Sequence, residues 1–234
     1  MYPRSRIRIR TTPRTDGDER HPISDSAGVQ AADRVYIAGM SIGFAFFDTA
    51  IGRCAIAWGE RGILGVQLPE ADDNRTRARL LKKIPEARNM PLPSQVRHAC
   101  DAMAALLDGK PDDLADIELD MGGVPDFNRQ VYEIARTIPP GETLTYGEIA
   151  RRLGDKTLSR AVGQALGQNP FTIVVPCHRV LAANGKTGGF SANGGVTTKF
   201  RMLTIERARI GHDTADAPML FEPEFSVAPP QRRH

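Results

Sequence analysis

Hydrophobic and polar positions alternate in two rhythms along this chain. Gly43–Phe47, Cys54–Trp58 and Gly62–Leu68 are short apolar runs divided by Asp, Gly and Arg turns, which predicts a three-stranded meander. The period then lengthens. Asn74–Ile84 is a basic amphipathic stretch. Ser94–Leu107 opens on a capping serine, Ser94, and sets Val96, Cys100, Met103 and Leu107 on one helical face. Cys54 and Cys100 fall among core positions and read as packing residues, because free cysteine is among the most buried residue types. After a Gly- and Pro-rich connection from Gly109 to Pro125, Phe127, Val131, Ile134 and Ile138 recur at helical spacing until Pro139-Pro140-Gly141 stops the helix. Two shorter helices follow. Thr145–Leu153 ends at Gly154-Asp155, and the next runs from about Ser159 to Gln168. A pair of short helices around a tight glycine turn is the pattern of a helix-turn-helix, although many such pairs touch no DNA.

Residues 1–34 carry no apolar period, so a mobile arm is expected there. A first domain is placed at 35–121, a second at 122–211 and a tail at 212–234. With 234 residues, 41% of them hydrophobic, the chain can bury one substantial core or two small ones. No run approaches the roughly 20 apolar residues of a membrane span. MYPRSRIRIRTTPRT at the N-terminus lacks the apolar centre of a secretory signal, so a cytoplasmic location is expected. Cys54, Cys100 and Cys177 are widely spaced without a C-x-x-C, which argues against a disulfide framework or a cysteine zinc site and fits reduced thiols. The net charge of +3 hides an asymmetry: residues 121–211 carry twelve Lys/Arg against six Asp/Glu. Such an excess suits a polyanion such as DNA, though a merely solvated basic surface would give the same count.

The chemistry points to Pro176-Cys177-His178-Arg179-Val180, directly after the apolar run Phe171–Val175. Cysteine is a strong nucleophile as its thiolate, and an adjacent imidazole with Arg179 and Lys199 in the same basic stretch favours that form. Adjacency alone is weak, because neighbours on a strand face opposite ways.

The surrounding blocks are more specific. IPPGET, TYGEIA, SRAVGQALGQNP, IVVPCHRV and a closing K-x-x-x-L-x-x-E occur in order between Phe127 and Glu206. This stretch resembles the active domain of the O6-alkylguanine-DNA alkyltransferases, the methylated-DNA:protein-cysteine methyltransferases. The resemblance implies an α/β protein with a ribonuclease-H-like N-terminal domain and a helical, winged-helix-like active domain containing the helix-turn-helix. It implies a DNA repair enzyme that moves the alkyl group of O6-alkylguanine irreversibly onto Cys177, once per molecule and without a cofactor or metal. His178 would be base toward Cys177 through a water, and Glu206 would orient the imidazole. Tyr146 would assist protonation of the departing purine, and Asn169 would bridge the turns of the site. The Val180 carbonyl, the main chain near Ser191 and Tyr146 would hold the guanine, with Gly188 and Gly189 allowing close backbone approach.

The expected partner is double-stranded DNA containing O6-alkylguanine, met in the minor groove by a monomer, with no membrane contact. Ser159, Ala161, Gly163 and Gln164 keep the second helix low, which suits that approach. Thr145 is placed with them at the DNA, and Arg160 matches the arginine that fills the space left by a flipped base. Some features depart from the family pattern. Phe190 stands where tyrosine is common, the loop Gly188–Gly195 is longer than usual, Leu158 is bulky, and no cysteine precedes Cys54 to build a zinc-bearing regulatory domain. Two other readings remain at this point. One is a non-enzymatic recognition protein for alkylation damage on the same scaffold, in which the active cysteine is lacking. The other is a cysteine hydrolase using Cys177 and His178.

Overall fold

A computed structural model describes residues 41–183 and 194–208. The N-terminal arm, the C-terminal tail, and Gly188, Gly189, Phe190 and Ser191 of the expected base pocket lie outside the described residues. The protein is mixed α/β, with a small sheet between helices followed by a helix-rich half.

The meander forms as the alternation requires. β1 (Gly43–Thr49), β2 (Gly52–Gly59) and β3 (Gly62–Gln67) pair antiparallel in sequence, with Ala45 opposite Ile56 and Ala55 opposite Gln67. Successive side chains point to opposite faces. Phe44, Ala55 and Ala57 therefore pack beneath α1 (Asp73–Lys83), together with Leu80 and Ile84, whereas Ala45, Phe47, Cys54 and Ile56 meet α2 (Ser94–Leu107). Cys54 and Cys100 are both buried in the second of these layers, as the pattern indicated, and burial pushes each thiol up to about 12. A two-residue strand, β4 (Arg88–Asn89), joins β1 in parallel. It is too short to show a period.

The helix caps differ in origin. Asp72 caps α1 by accepting from the Arg75 amide at 2.8 Å. Ser94, expected to cap α2, is instead its first helical residue. The N-cap is Pro93, whose extended backbone leads into the helix and whose carbonyl accepts the first helical bond, from Arg97, at 2.8 Å.

The second half is built from α3 (Asp126–Arg136), β5 (Leu144–Thr145), α4 (Tyr146–Arg152), α5 (Ser159–Gly167), β6 (Val180–Leu181) and α6 (Val196–Ile205). β5 and β6 pair in parallel. Val131, Tyr132 and Ala135 of α3 bury against Ile149, Val162 and Leu166. The Tyr132 hydroxyl, deep in this layer, donates to the Ala165 carbonyl at 2.9 Å, which satisfies the polar end of a buried aromatic.

The apolar run before the cysteine is a series of turns, not a strand. It docks on the exposed edge of the sheet. The Val66 amide donates to the Pro170 carbonyl at 2.8 Å, and the Thr172 hydroxyl donates to the Val66 carbonyl at 2.7 Å. Ile173 and Val174 then enter the first core. On the same edge, the Ile63 amide donates to Glu118 O at 2.9 Å. The edge of β3 is thus covered, and the segment leading to Cys177 is clamped to rigid structure. Among the described residues no helix is long and apolar enough to cross a membrane.

Gly62 marks how close that cover lies. Its φ is +125°, and a Cβ there would stand 2.5 Å from Glu118 O. Gly62→Ala is expected to lower the unfolding free energy by about 2 kcal/mol or more, from left-handed strain plus displacement of the covering segment. Urea denaturation would measure it, and a loss below 0.5 kcal/mol, on the order of an ordinary surface change, would show that the edge cover gives way freely.

Candidate active site

α4 begins with a reciprocal cap. The Thr145 hydroxyl accepts from the Glu148 amide at 3.1 Å, and Glu148 Oε2 accepts from the Thr145 amide at 2.5 Å. This fixes Tyr146, the first helical residue, whose ring lies over Gly163 of α5: a Cβ on that glycine would sit 3.8 Å from the tyrosine Cδ1. Thr145 is thereby committed to the cap. Gly154, at φ +93°, turns the chain, and a 3-10 turn at Lys156–Leu158 leads into α5. On α5, Arg160 and Gln164 are exposed and Ala161 is half-buried, while the Ser159 hydroxyl donates to Lys156 O at 2.9 Å. Arg160 forms no hydrogen bond or ion pair among the described residues.

Cys177 opens a 3-10 turn, Cys177–Arg179, and is partly exposed. Asn169 shapes the approach to it. Its Nδ2 donates to the Val175 carbonyl and its Oδ1 accepts from the Phe171 amide, both at 2.9 Å, so one side chain spans the whole turn. This is the bridging expected of it.

The next two residues point inward. The His178 and Glu206 side chains are 1% and 0% exposed, and His178 Nε2 stands 2.9 Å from Glu206 Oε1. Arg179 donates to the same carboxylate through Nε to Oε2 at 2.9 Å and Nη2 to Oε1 at 2.8 Å, a bidentate pair, and through Nη1 to the Ile138 carbonyl at 2.6 Å. His178 Nδ1 is buried and makes no hydrogen bond among the described residues.

Protonation states follow from these contacts. Burial resists ionising Glu206, yet its partners, His178 and Arg179, outweigh that and hold the carboxyl at about 2. Burial pushes the His178 imidazole down, with Arg179 and Lys199 adding to the effect and Glu206 opposing it. At neutral pH His178 is therefore uncharged, and the guanidinium of Arg179 is the charge that stabilises Glu206. An ionised Glu206 can only accept, so Nε2 carries the proton and Nδ1 presents its lone pair.

Cys177 itself corrects an expectation. Burial pushes its thiol up, and the Asn169 amide, the Lys199 charge and the backbone amides of Cys177 and His178 reduce that rise without reversing it. The resting residue is a thiol. Arg179 contributes nothing to a thiolate because its donors are committed to Glu206 and Ile138. Lys199 is fully buried with Nζ donating to Val180 O at 2.5 Å, and burial brings it down to about 8. The Val180 carbonyl, expected to meet the guanine, thus already accepts one bond and keeps a second lone pair. Burial also raises Tyr146, with Cys177 contributing, and its hydroxyl has no partner among the described residues.

Arg179 is the site residue whose part the sequence misread: expected to favour a thiolate at Cys177, it pairs instead with Glu206 and the Ile138 carbonyl. Nothing local distinguishes a buried structural arginine from a surface one, and its partner Glu206 is 27 positions away.

A partly exposed thiol followed in the chain by a buried, neutral histidine that a carboxylate holds is an arrangement suited to a cysteine nucleophile. Comparison with known proteins narrows the class. A family model described as the DNA binding domain of 6-O-methylguanine DNA methyltransferase matches residues 126–208. The methylated-DNA–protein-cysteine methyltransferase of Mycobacterium tuberculosis is 42% identical over 123 residues, 53% of this chain and 72% of that protein. The protein of the same description from Methanothermobacter thermautotrophicus is 34% identical over 64% of this chain and 77% of its own length. The crystal structure of Mycobacterium tuberculosis OGT in complex with DNA superposes with a TM-score of 0.56 at 34% identity, covering 70% of this chain and 92% of that one. This chain belongs to the methylated-DNA–protein-cysteine methyltransferase family.

The Glu206 node sets an acid limit. Its carboxyl lies below its ordinary value of 4.5, so the stability it contributes is complete above about pH 4.5 and lost as pH falls toward 2. The loss is on the order of 3 kcal/mol. His178, held below its ordinary 6.5, acts in the same direction from a higher pH. Acid titration of stability should therefore show a steep limb below pH 4.5 that flattens in Glu206→Gln. That variant should also be about 3–5 kcal/mol less stable at pH 7, because Arg179 loses its charge partner. An unchanged acid limb would mean that the carboxylate is not held this way.

Proposed function

We propose that this protein repairs O6-alkylguanine in duplex DNA by transferring the alkyl group to Cys177. The observation that carries the reading is the buried Glu206–His178 pair, which leaves Nδ1 unprotonated on the residue that follows Cys177, whose thiol needs a base. The proton of Cys177 passes through a water to Nδ1, and the imidazolium so formed is stabilised by Glu206. The sulfur attacks the alkyl carbon, the S–C bond forms and the C–O bond breaks. The guanine oxygen takes the electron pair. Tyr146 supplies a proton to the purine and regains one from the His178 side, so the thiol proton ends on guanine. A thioether is not hydrolysed by water, so each molecule acts once.

In the finer architecture of this reading, residues 35–121 form a ribonuclease-H-like domain and 122–211 a winged-helix-like domain in which α4 and α5 are the helix-turn-helix. α5 enters the minor groove of the DNA with Ser159, Ala161 and Gln164 against the backbone. Arg160, exposed and without a partner among the described residues, fills the gap of the flipped nucleotide. The base rests against Tyr146, the second lone pair of Val180 O and the main chain near Ser191. The protein acts as a monomer in the cytoplasm. A recognition protein without transfer would not need Cys177, and a hydrolase would cycle.

Incubation with duplex DNA containing O6-methylguanine should add one methyl group per molecule, mapped by peptide mass spectrometry to Cys177 and absent from Cys54 and Cys100. Adducts on all three would mean generic thiol reactivity, and continued turnover would mean a hydrolase. Arg160→Ala should slow single-turnover repair of duplex DNA even at saturating protein, since extrusion costs roughly a few kcal/mol. Its reaction with free O6-benzylguanine, which needs no flipping, should keep the wild-type rate. Equal losses on both substrates would show damage to the active site instead.

A further inference from the structure

The first half of the chain carries positive charge that the fold leaves unused. α1 buries Thr76 and Leu80 and turns Arg75, Arg77, Arg79, Lys82 and Lys83 away from the sheet. The arginines have partners: Arg75 lies 3.6 Å from Asp72, Arg77 donates to Asn74 Oδ1 at 3.1 Å, and Arg79 pairs with Glu70 at 2.8 Å. Lys82 and Lys83 are exposed at the last turn and form no hydrogen bond or ion pair among the described residues. The helix dipole favours cations at this end, but it does not require two of them.

Their position relates them to the reaction. A Cβ on Gly65 of β3 would stand 3.2 Å from Ile84 Cδ1 and 3.3 Å from Pro170 O. The end of α1 therefore abuts the turn that Asn169 braces ahead of Cys177. Lys83 is close enough for its charge to act on Cys177, and Arg79 and Glu70 are the other charges it feels. Cys177 is partly open to solvent. A nucleotide whose base enters there brings its flanking phosphates with it.

We propose that Lys82 and Lys83 bind backbone phosphates of the damaged strand beside the active-site mouth, giving residues 35–121 a DNA contact of their own. This rests on the repair function proposed above, and it extends the footprint beyond α5. Each phosphate contact releases counterions, so removing one lysine should reduce the slope of log affinity against log salt by about 0.9.

The test measures binding to a duplex containing O6-methylguanine by fluorescence anisotropy between about 50 and 200 mM NaCl. Lys82→Ala and Lys83→Ala should each reduce the slope by about 0.9 and the double variant by about twice that. Lys83→Arg should restore it. Lys110→Ala, an exposed lysine on the connection, should match wild type. A double variant with the wild-type slope overturns this proposal alone, and a wild-type protein that does not bind the duplex overturns it together with the repair reading. If Lys83→Ala keeps the slope but reacts more slowly with free O6-benzylguanine, the lysine serves the thiol and the phosphate assignment falls.

Discussion

One buried carboxylate organises this site. Glu206 caps the end of α6 and collects a hydrogen bond from His178 and two from Arg179, all within 3 Å. Arg179 continues the chain of contacts to the Ile138 carbonyl at the end of α3. Two segments far apart in sequence, around Ile138 and Glu206, are thereby tied to the turn that carries Cys177. An ion pair so buried is weak evidence for stability as such, since desolvation offsets much of its attraction. Its value here lies in fixing one tautomer and one orientation of an imidazole that would otherwise have neither.

The same burial explains why Cys177 rests as a thiol. In the proposed reaction this keeps the residue from meeting stray electrophiles as a standing thiolate and leaves its activation to the neutral imidazole once substrate is bound. Lys199 has a related part. Its buried ammonium anchors the Val180 carbonyl and moderates the rise of Cys177 without abolishing it. In the proposed function recognition and chemistry fall on different elements, α5 with Arg160 and Gln164 exposed and the turn at Cys177–Arg179 with His178 and Arg179 buried.

Much of this was legible in the chain. The meander and five of the helices announced themselves because period and burial coincide there, and the blocks around Cys177 contain His178, Glu206 and Asn169, which the fold joins to that turn by hydrogen bonds. What escaped depends on contacts between distant residues. The run Phe171–Val175 looks like a strand by composition, but Thr172 reaches back 106 positions to Val66 and the backbone is drawn into turns. β4 and the β5–β6 pair are two residues each, too short for any alternation. Arg179 looked like a source of positive charge for the thiol, and only the fold reveals that Glu206 and Ile138 take all of it. Ser94 lost its capping place because Pro93 had already supplied the extended entry to the helix.

The state of His178 is the most direct measure of this account. Nitrogen-15 chemical shifts of its imidazole in the wild-type protein at neutral pH distinguish the three possible forms. The expected spectrum has a protonated, pyrrole-type Nε2 and an unprotonated, pyridine-type Nδ1. A protonated Nδ1, whether as the other tautomer or as imidazolium, would contradict the arrangement, because the site would then hold no base for Cys177.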